Sequence, residues 1–158
     1  HYYWDQLIKD TRRLQSFRDL FGYETTDYGE ALKQHYNKPA SNAWTEKFIS
    51  SYASAHPWED WAEAWAHYMH IVDTMETAYS FGMTLNPRVA DPENEMSARL
   101  NIDPYTTNSI EDIIERWIPL SFVMNSLNRA MGMKDSYPFV ITEEVKRKLS
   151  FIHETIRG

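Results

Sequence analysis

The chain has 158 residues, a net charge of −7 and no cysteine. That length is about one domain, with room for a sizeable core. Without thiols there can be no disulfide framework, cysteine nucleophile, thiolate zinc site or iron–sulfur ligation within the chain. The acidic balance argues against a dedicated nucleic-acid binder, which must neutralise phosphates. No run approaches the roughly 18 apolar residues of a membrane span, and no basic-then-apolar opening marks a signal peptide. The expectation is a cytoplasmic protein with neither a membrane nor a nucleic-acid partner.

Residue 1 is His rather than Met and leads straight into an apolar pattern, which reads as a fragment of something longer. Tyr3, Trp4, Leu7, Ile8, Leu14, Phe17 and Leu20 recur at helical spacing and predict a helix over 1–20, stopped at Phe21-Gly22. A short helix follows over 27–36, and Pro39 ends the turn after it. Trp44, Phe48, Ile49 and Tyr52 mark a further amphipathic stretch over 44–55, broken at His56-Pro57. The longest helix runs from 58 to 79 and stops at Phe81-Gly82.

Residues 83–108, with Pro87, Pro92 and Pro104, read as a long irregular segment. Ser109 and Asp112 resemble a capping box opening a helix to about residue 131, which Pro119 should kink or split. Phe139-Val140-Ile141 is the best strand candidate, and no period-2 pattern elsewhere is convincing. Thr142 caps a last helix over 143–156, with Val145, Leu149, Ile152 and Ile156 on one face. The fold class is therefore all-α, a multi-helix bundle-like subdomain over 1–158 with little or no sheet.

The run from His56 to Asp73 carries the chemistry. At about 100° per residue, Glu59, Glu63, His67 and His70 fall within an arc of about 80°, with Asp73 beside it. Trp61, Trp65, Tyr68, Met69 and Val72 form the opposite, apolar side. Glu–His pairs at i, i+4 are common surface decoration. A solvated face normally mixes charges, however, and no Lys or Arg occurs between Trp58 and Tyr79. Carboxylates and imidazoles on one stripe suit Zn, Fe or Mn. Trp58, Trp61 and Trp65 read as packing rather than a ligand cage.

The chain resembles, nearly end to end, the C-terminal part of a bacterial family of zincin-like, gluzincin-like zinc-binding metallopeptidases. The resemblance rests on His1-Tyr2-Tyr3-Trp4-Asp5, Phe17 to Gly22, Asp27-Tyr28, His35-Tyr36, the run from His56 to Thr74, Leu127-Asn128-Arg129 and Tyr137 to Val140. It implies that His1 is the second histidine of a His-Glu-x-x-His motif begun upstream. In that motif two histidines bind Zn²⁺ and the glutamate is general base toward zinc-bound water. The resemblance further implies His1 and Glu59 as zinc ligands, Glu63 as the carboxylate orienting a ligand, and His67 or His70 as the catalytic donor to the oxyanion. The substrate would be a peptide or protein. Without the upstream His and Glu, this chain by itself is expected to bind zinc weakly and to hydrolyse nothing.

His35, Asp73, Arg129 and Tyr137 are possible pocket residues. Their structural alternatives are a helix-end histidine, a local pair for Asp73, and pairing or core packing for Arg129 and Tyr137. His56 reads as a turn residue and His153 as exposed. Two other functions fit the same residues: a helical metal-binding module built from Glu59, Glu63, His67 and His70, and a non-catalytic interaction domain whose acidic stripe meets a basic partner.

Overall fold

Asp10 interrupts the first predicted helix. In the computed structural model, which describes residues 1–38, 41–88, 93 and 95–158, the chain leaves α1 (Tyr2–Leu7) and turns through Asp10 at φ 59° before entering α2 (Leu14–Phe21). Asp tolerates the left-handed region. Thr11 completes the turn by donating its hydroxyl to Ile8 O at 2.8 Å, a local bond that competes with the helix. The apolar period runs on across the break, and for that reason periodicity alone hides it.

The described residues form six α-helices and one tiny ribbon. α3 (Tyr28–Asn37) is capped by Asp27, whose carboxylate accepts from Glu30 N at 2.7 Å. Pro39 lies outside the described residues. The stretch 44–55 is a chain of turns ending in a 3₁₀ turn, Tyr52–Ala55, and not the amphipathic helix its spacing predicts. Its hydroxyls explain the difference. Thr45 donates to Asn42 O at 2.9 Å, Ser54 donates to Ser51 O at 2.7 Å, and Ser50 Oγ accepts from Ala53 N at 3.0 Å.

The chain divides into two compact units: His1–Tyr68 with Phe139–Gly158, and Met69–Pro138. α4 (Pro57–Ser80) begins in the first and ends in the second. In the first unit, Trp4, Phe17, Phe21 and Trp61 pack ring against ring, with Phe17 and Phe21 stacked at 4.9 Å. Gly22 holds φ 100°, and a Cβ there would stand 3.3 Å from Pro57 Cγ. A side chain there would be strained by the conformation and would press on α4's first residue.

α6 (Glu143–Arg157) begins at Thr142, whose hydroxyl accepts from Val145 N at 3.3 Å. Its buried face includes Val145, Leu149, Ile152 and His153. His153 is thus buried and not exposed as expected: it follows Leu149 by four residues and shares its face, and its Nδ1 stands 3.0 Å from the Tyr68 hydroxyl. Phe139-Val140-Ile141 form no strand.

In the second unit, β1 (Thr84–Leu85) pairs antiparallel with β2 (Ala98–Arg99). Within the irregular segment 83–108, residues 89–92 and 94, Pro92 among them, lie outside the described residues. α5 (Ile110–Ala130) is capped by Ser109, which accepts from Asp112 N at 3.2 Å, and it runs unsplit through the buried Pro119. Ile113, Ile114, Trp117 and Leu120 join Ile71 and Met75 in this unit's core. No helix among the described residues is long and apolar enough to cross a membrane.

Candidate metal centre

His56 sets the start of α4. Its extended backbone (φ −158°, ψ 149°) makes it the residue before the helix, and its carbonyl accepts from Glu59 N and Asp60 N. The ring does the work usually given to Ser or Asp: Nδ1 accepts from Trp58 N at 3.0 Å. Nε2 then carries the proton and donates to Thr26 O at 3.0 Å. His56 is a structural residue, as the sequence suggested.

That start fixes two neighbouring carboxylates in the first turn, where the helix dipole favours negative charge. Glu59 is only 6% exposed, yet it faces polar groups. The Tyr28 hydroxyl donates to its Oε1 at 2.5 Å, and His1 Nε2 stands 3.3 Å from the same oxygen. The His1 ring lies edge-on to Tyr28, with Trp58 beside it, both at 6.0 Å. The hydrogen bond to Glu59, aided by burial and the Glu59 charge, pushes the Tyr28 phenol well above its ordinary range, so it stays a donor. Burial, and then the Glu59 charge, push the Tyr52 phenol up as well. Tyr28 therefore touches the Glu59 carboxylate, and Tyr52, on a separate element, lies within reach of its charge.

Asp60, 1% exposed, faces the other way. Its Oδ2 lies 2.7 Å from Lys148 Nζ, an ion pair without hydrogen-bond alignment, and Lys148 donates to Lys47 O at 2.6 Å. The Lys148 ammonium also sits 4.3 Å from the Phe48 ring centroid. Burial pushes the Asp60 carboxyl up to about 7 against the pull of Lys148.

The remaining predicted residues scatter. Glu63 Oε2 accepts from the Ser50 hydroxyl at 2.8 Å, and Ser50 Oγ in turn holds Ala53 N. Glu63 therefore braces the turn that carries Tyr52, which is a different contact from the ligand imidazole expected of it. His67 is buried with its ring edge-on to Phe139 at 4.4 Å. It stands eight residues along α4 from Glu59, about 12 Å in helix rise. That separation puts it well away from the carboxylate that Tyr28 touches directly.

His70 and Asp73 belong to the second unit. His70 is exposed, and Asp73 accepts from the Tyr105 hydroxyl at 2.7 Å. In the same unit Arg129 pairs with Asp135 through both carboxylate oxygens, and Tyr137 packs buried against Trp117 at 5.0 Å. Arg129 thus has Asp135 as its ion-pair partner, and Tyr137 belongs to the buried packing of this unit. His35 lies in the first unit with its ring edge-on to Tyr52 at 6.1 Å.

The donor set can be tested against zinc. Ligands at about 2.1 Å subtending a tetrahedral angle stand about 3.4 Å apart. The 3.3 Å between His1 Nε2 and Glu59 Oε1 matches that spacing. Nitrogen plus carboxylate oxygen is also the ligand chemistry zinc accepts. Among the described residues no group of three or more His, Asp or Glu could hold a metal alone. The described residues therefore place two atoms at a spacing that two zinc ligands could share, and bring no third such group to them.

Over residues 1–155 the chain matches the family described as "Putative zinc-binding metallo-peptidase". The chain belongs to that family. It is 40% identical over 157 residues to the uncharacterized protein Rv2568c of Mycobacterium tuberculosis and to the uncharacterized protein Mb2598c of Mycobacterium bovis. The match takes in 99% of this chain and 43% of each relative, so the chain spans less than half their length. No solved structure matches it.

Proposed function

We propose that this chain supplies His1, Glu59 and the surrounding wall of a zinc peptidase centre, which hydrolyses amide bonds in peptides or proteins once the upstream part of the longer protein is present. The observation that carries the reading is the convergence of His1 Nε2 on the buried Glu59 Oε1 at a spacing suited to two ligands of one zinc ion. Bound zinc would supply Lewis acidity and an activated water.

The chain's own residues do the rest. His56 and Pro57 anchor the first turn, so that Glu59 is presented at a fixed place. Tyr28, with a phenol that holds its proton, donates to that carboxylate. It is the group on the spot to donate instead to an oxygen that gains negative charge nearby. We assign it the role that the sequence had offered to His67 or His70, because its hydroxyl touches the carboxylate directly. Glu63 is a positioning residue: through Ser50 it holds the turn bearing Tyr52. The general base would come from the Glu of a His-Glu-x-x segment preceding His1.

The other readings fit less well. A four-residue module of Glu59, Glu63, His67 and His70 would need them to gather, whereas Glu63 is held by Ser50 and His67 packs on Phe139. A basic docking partner would need Glu59 at the surface, and it is buried under Tyr28.

The test compares this chain with the longer protein and with its Glu59→Gln variant, by zinc stoichiometry and by cleavage of a peptide mixture read by mass spectrometry. One zinc per chain and cleavage in the longer protein, both lost in Glu59→Gln, is the expected result. Equal zinc content and cleavage in all three would overturn the assignment.

A further inference from the structure

A cavity of about 500 Å³ opens in the first unit between the end of α3 and the turns before α4. Trp44 and Phe48 supply its aromatic surface, Ser51 and Ser54 its hydroxyls, and His35 and Lys38 its nitrogen groups. None of the described residues that line it is acidic, although the chain carries a net charge of −7. One side chain, Tyr52, stands between the cavity lining and the Glu59 centre. His35, in its lining, packs edge-on to Tyr52 at 6.1 Å, and the Tyr52 phenol feels the Glu59 charge.

We infer that this cavity is the side-chain subsite of the Glu59 centre and takes an aromatic residue flanked by a carboxylate. Stacking on Trp44 and Phe48 suits a planar apolar side chain. An ammonium at Lys38, with no acid among the described residues of the lining, favours a negative group at the mouth. The carboxylate is either the free end of a peptide or an acidic side chain next to the aromatic residue. Both present the same chemistry to Lys38. The location relative to the cut rests on the peptidase reading, but binding itself needs neither zinc nor hydrolysis.

The experiment is therefore run on the 158-residue chain with a chelator present, by calorimetry and by the shift of tryptophan NMR signals. The probes are N-acetylphenylalanine, N-acetyl-phenylalanyl-glutamic amide with only its side-chain carboxylate free, and N-acetylphenylalaninamide with no carboxylate. The carboxylate probes should bind about fivefold tighter than the amide, the scale of one exposed charge pair. The tighter of the two identifies the source of the charge. Lys38→Gln, an exposed position, should erase that advantage and leave aromatic binding in place. Trp44→Leu should abolish binding of all three probes at an unchanged unfolding midpoint. Equal binding of all three probes to the unaltered chain, no binding at all, or an advantage that survives Lys38→Gln would overturn the inference. Loss of zinc binding in the longer protein would sink the peptidase reading and leave these affinities untouched. Failure of the probes to bind would leave zinc content untouched.

Discussion

Glu59 and Asp60 are neighbours in the first turn of α4, both buried and both acidic, and they have opposite fates. About 100° of helix rotation separates them. Glu59 meets an imidazole and a phenol, groups that hydrogen-bond a carboxylate and are not fixed positive charges like an ammonium. Asp60 meets the ammonium of Lys148 inside the hydrophobic core and is locked there. A buried acid is thus a candidate ligand or a structural lock depending on what packs opposite, and helix position alone does not distinguish the two.

Removing the lock should have the largest effect. Lys148→Met leaves Asp60 buried without its counter-charge and should cost about 3–5 kcal/mol at pH 8, measured by urea unfolding. The cost should shrink at pH 5. Asp60 has its carboxyl raised from 3.8 to about 7 in the fold, and losing Lys148 raises it further. The folded state therefore binds the proton more tightly than the unfolded one: stability of the unaltered protein falls as pH rises from about 4 to about 7 and levels off above, whereas that of Lys148→Met goes on falling above 7, and the extra cost arises there. The same loss at both pH values would break the contrast, because it would mean that Asp60 is not the group left exposed to the penalty.

On the other side, Tyr28→Phe removes a hydrogen bond to a charged acceptor and should cost about 1–2 kcal/mol without zinc, read as the shift in urea midpoint at constant slope. The fold should survive, since His1 still faces Glu59. An effect as large as that of Lys148→Met would make Glu59 a second structural lock. Arg129→Ala sets the baseline. Its partner is Asp135 on an exposed face, so the unfolding midpoint should not move measurably.

The sequence made much of this visible where one local signal decides the outcome. The caps Asp27, Ser109 and Thr142 and the structural role of His56 all follow from side chains acting within a few residues of themselves. Glu59 stood out as a candidate ligand only through the family motif, since spacing alone ranked it with Glu63, His67 and His70. Four features were hidden because their causes lie elsewhere in the chain or run against periodicity. The 1–20 helix breaks at Asp10 although the apolar period continues. The stretch 44–55 stays in turns because its hydroxyls bond locally and Lys148 takes the Lys47 carbonyl. Tyr28 reaches Glu59 across 31 residues, and Lys148 reaches Asp60 from α6. The Asp27-Tyr28 match to the family was the one available hint of the former. Nothing local marks the latter beyond a lone lysine on the apolar side of the last helix.

The most direct measurement is the zinc affinity of the longer protein, by competition with a chromophoric chelator, for Glu59→Gln against Asp60→Asn. The account predicts that Glu59→Gln weakens zinc by at least about a hundredfold, while Asp60→Asn leaves the affinity within a few-fold of the unaltered protein. Equal losses from both substitutions, or a larger one from Asp60→Asn, would contradict it.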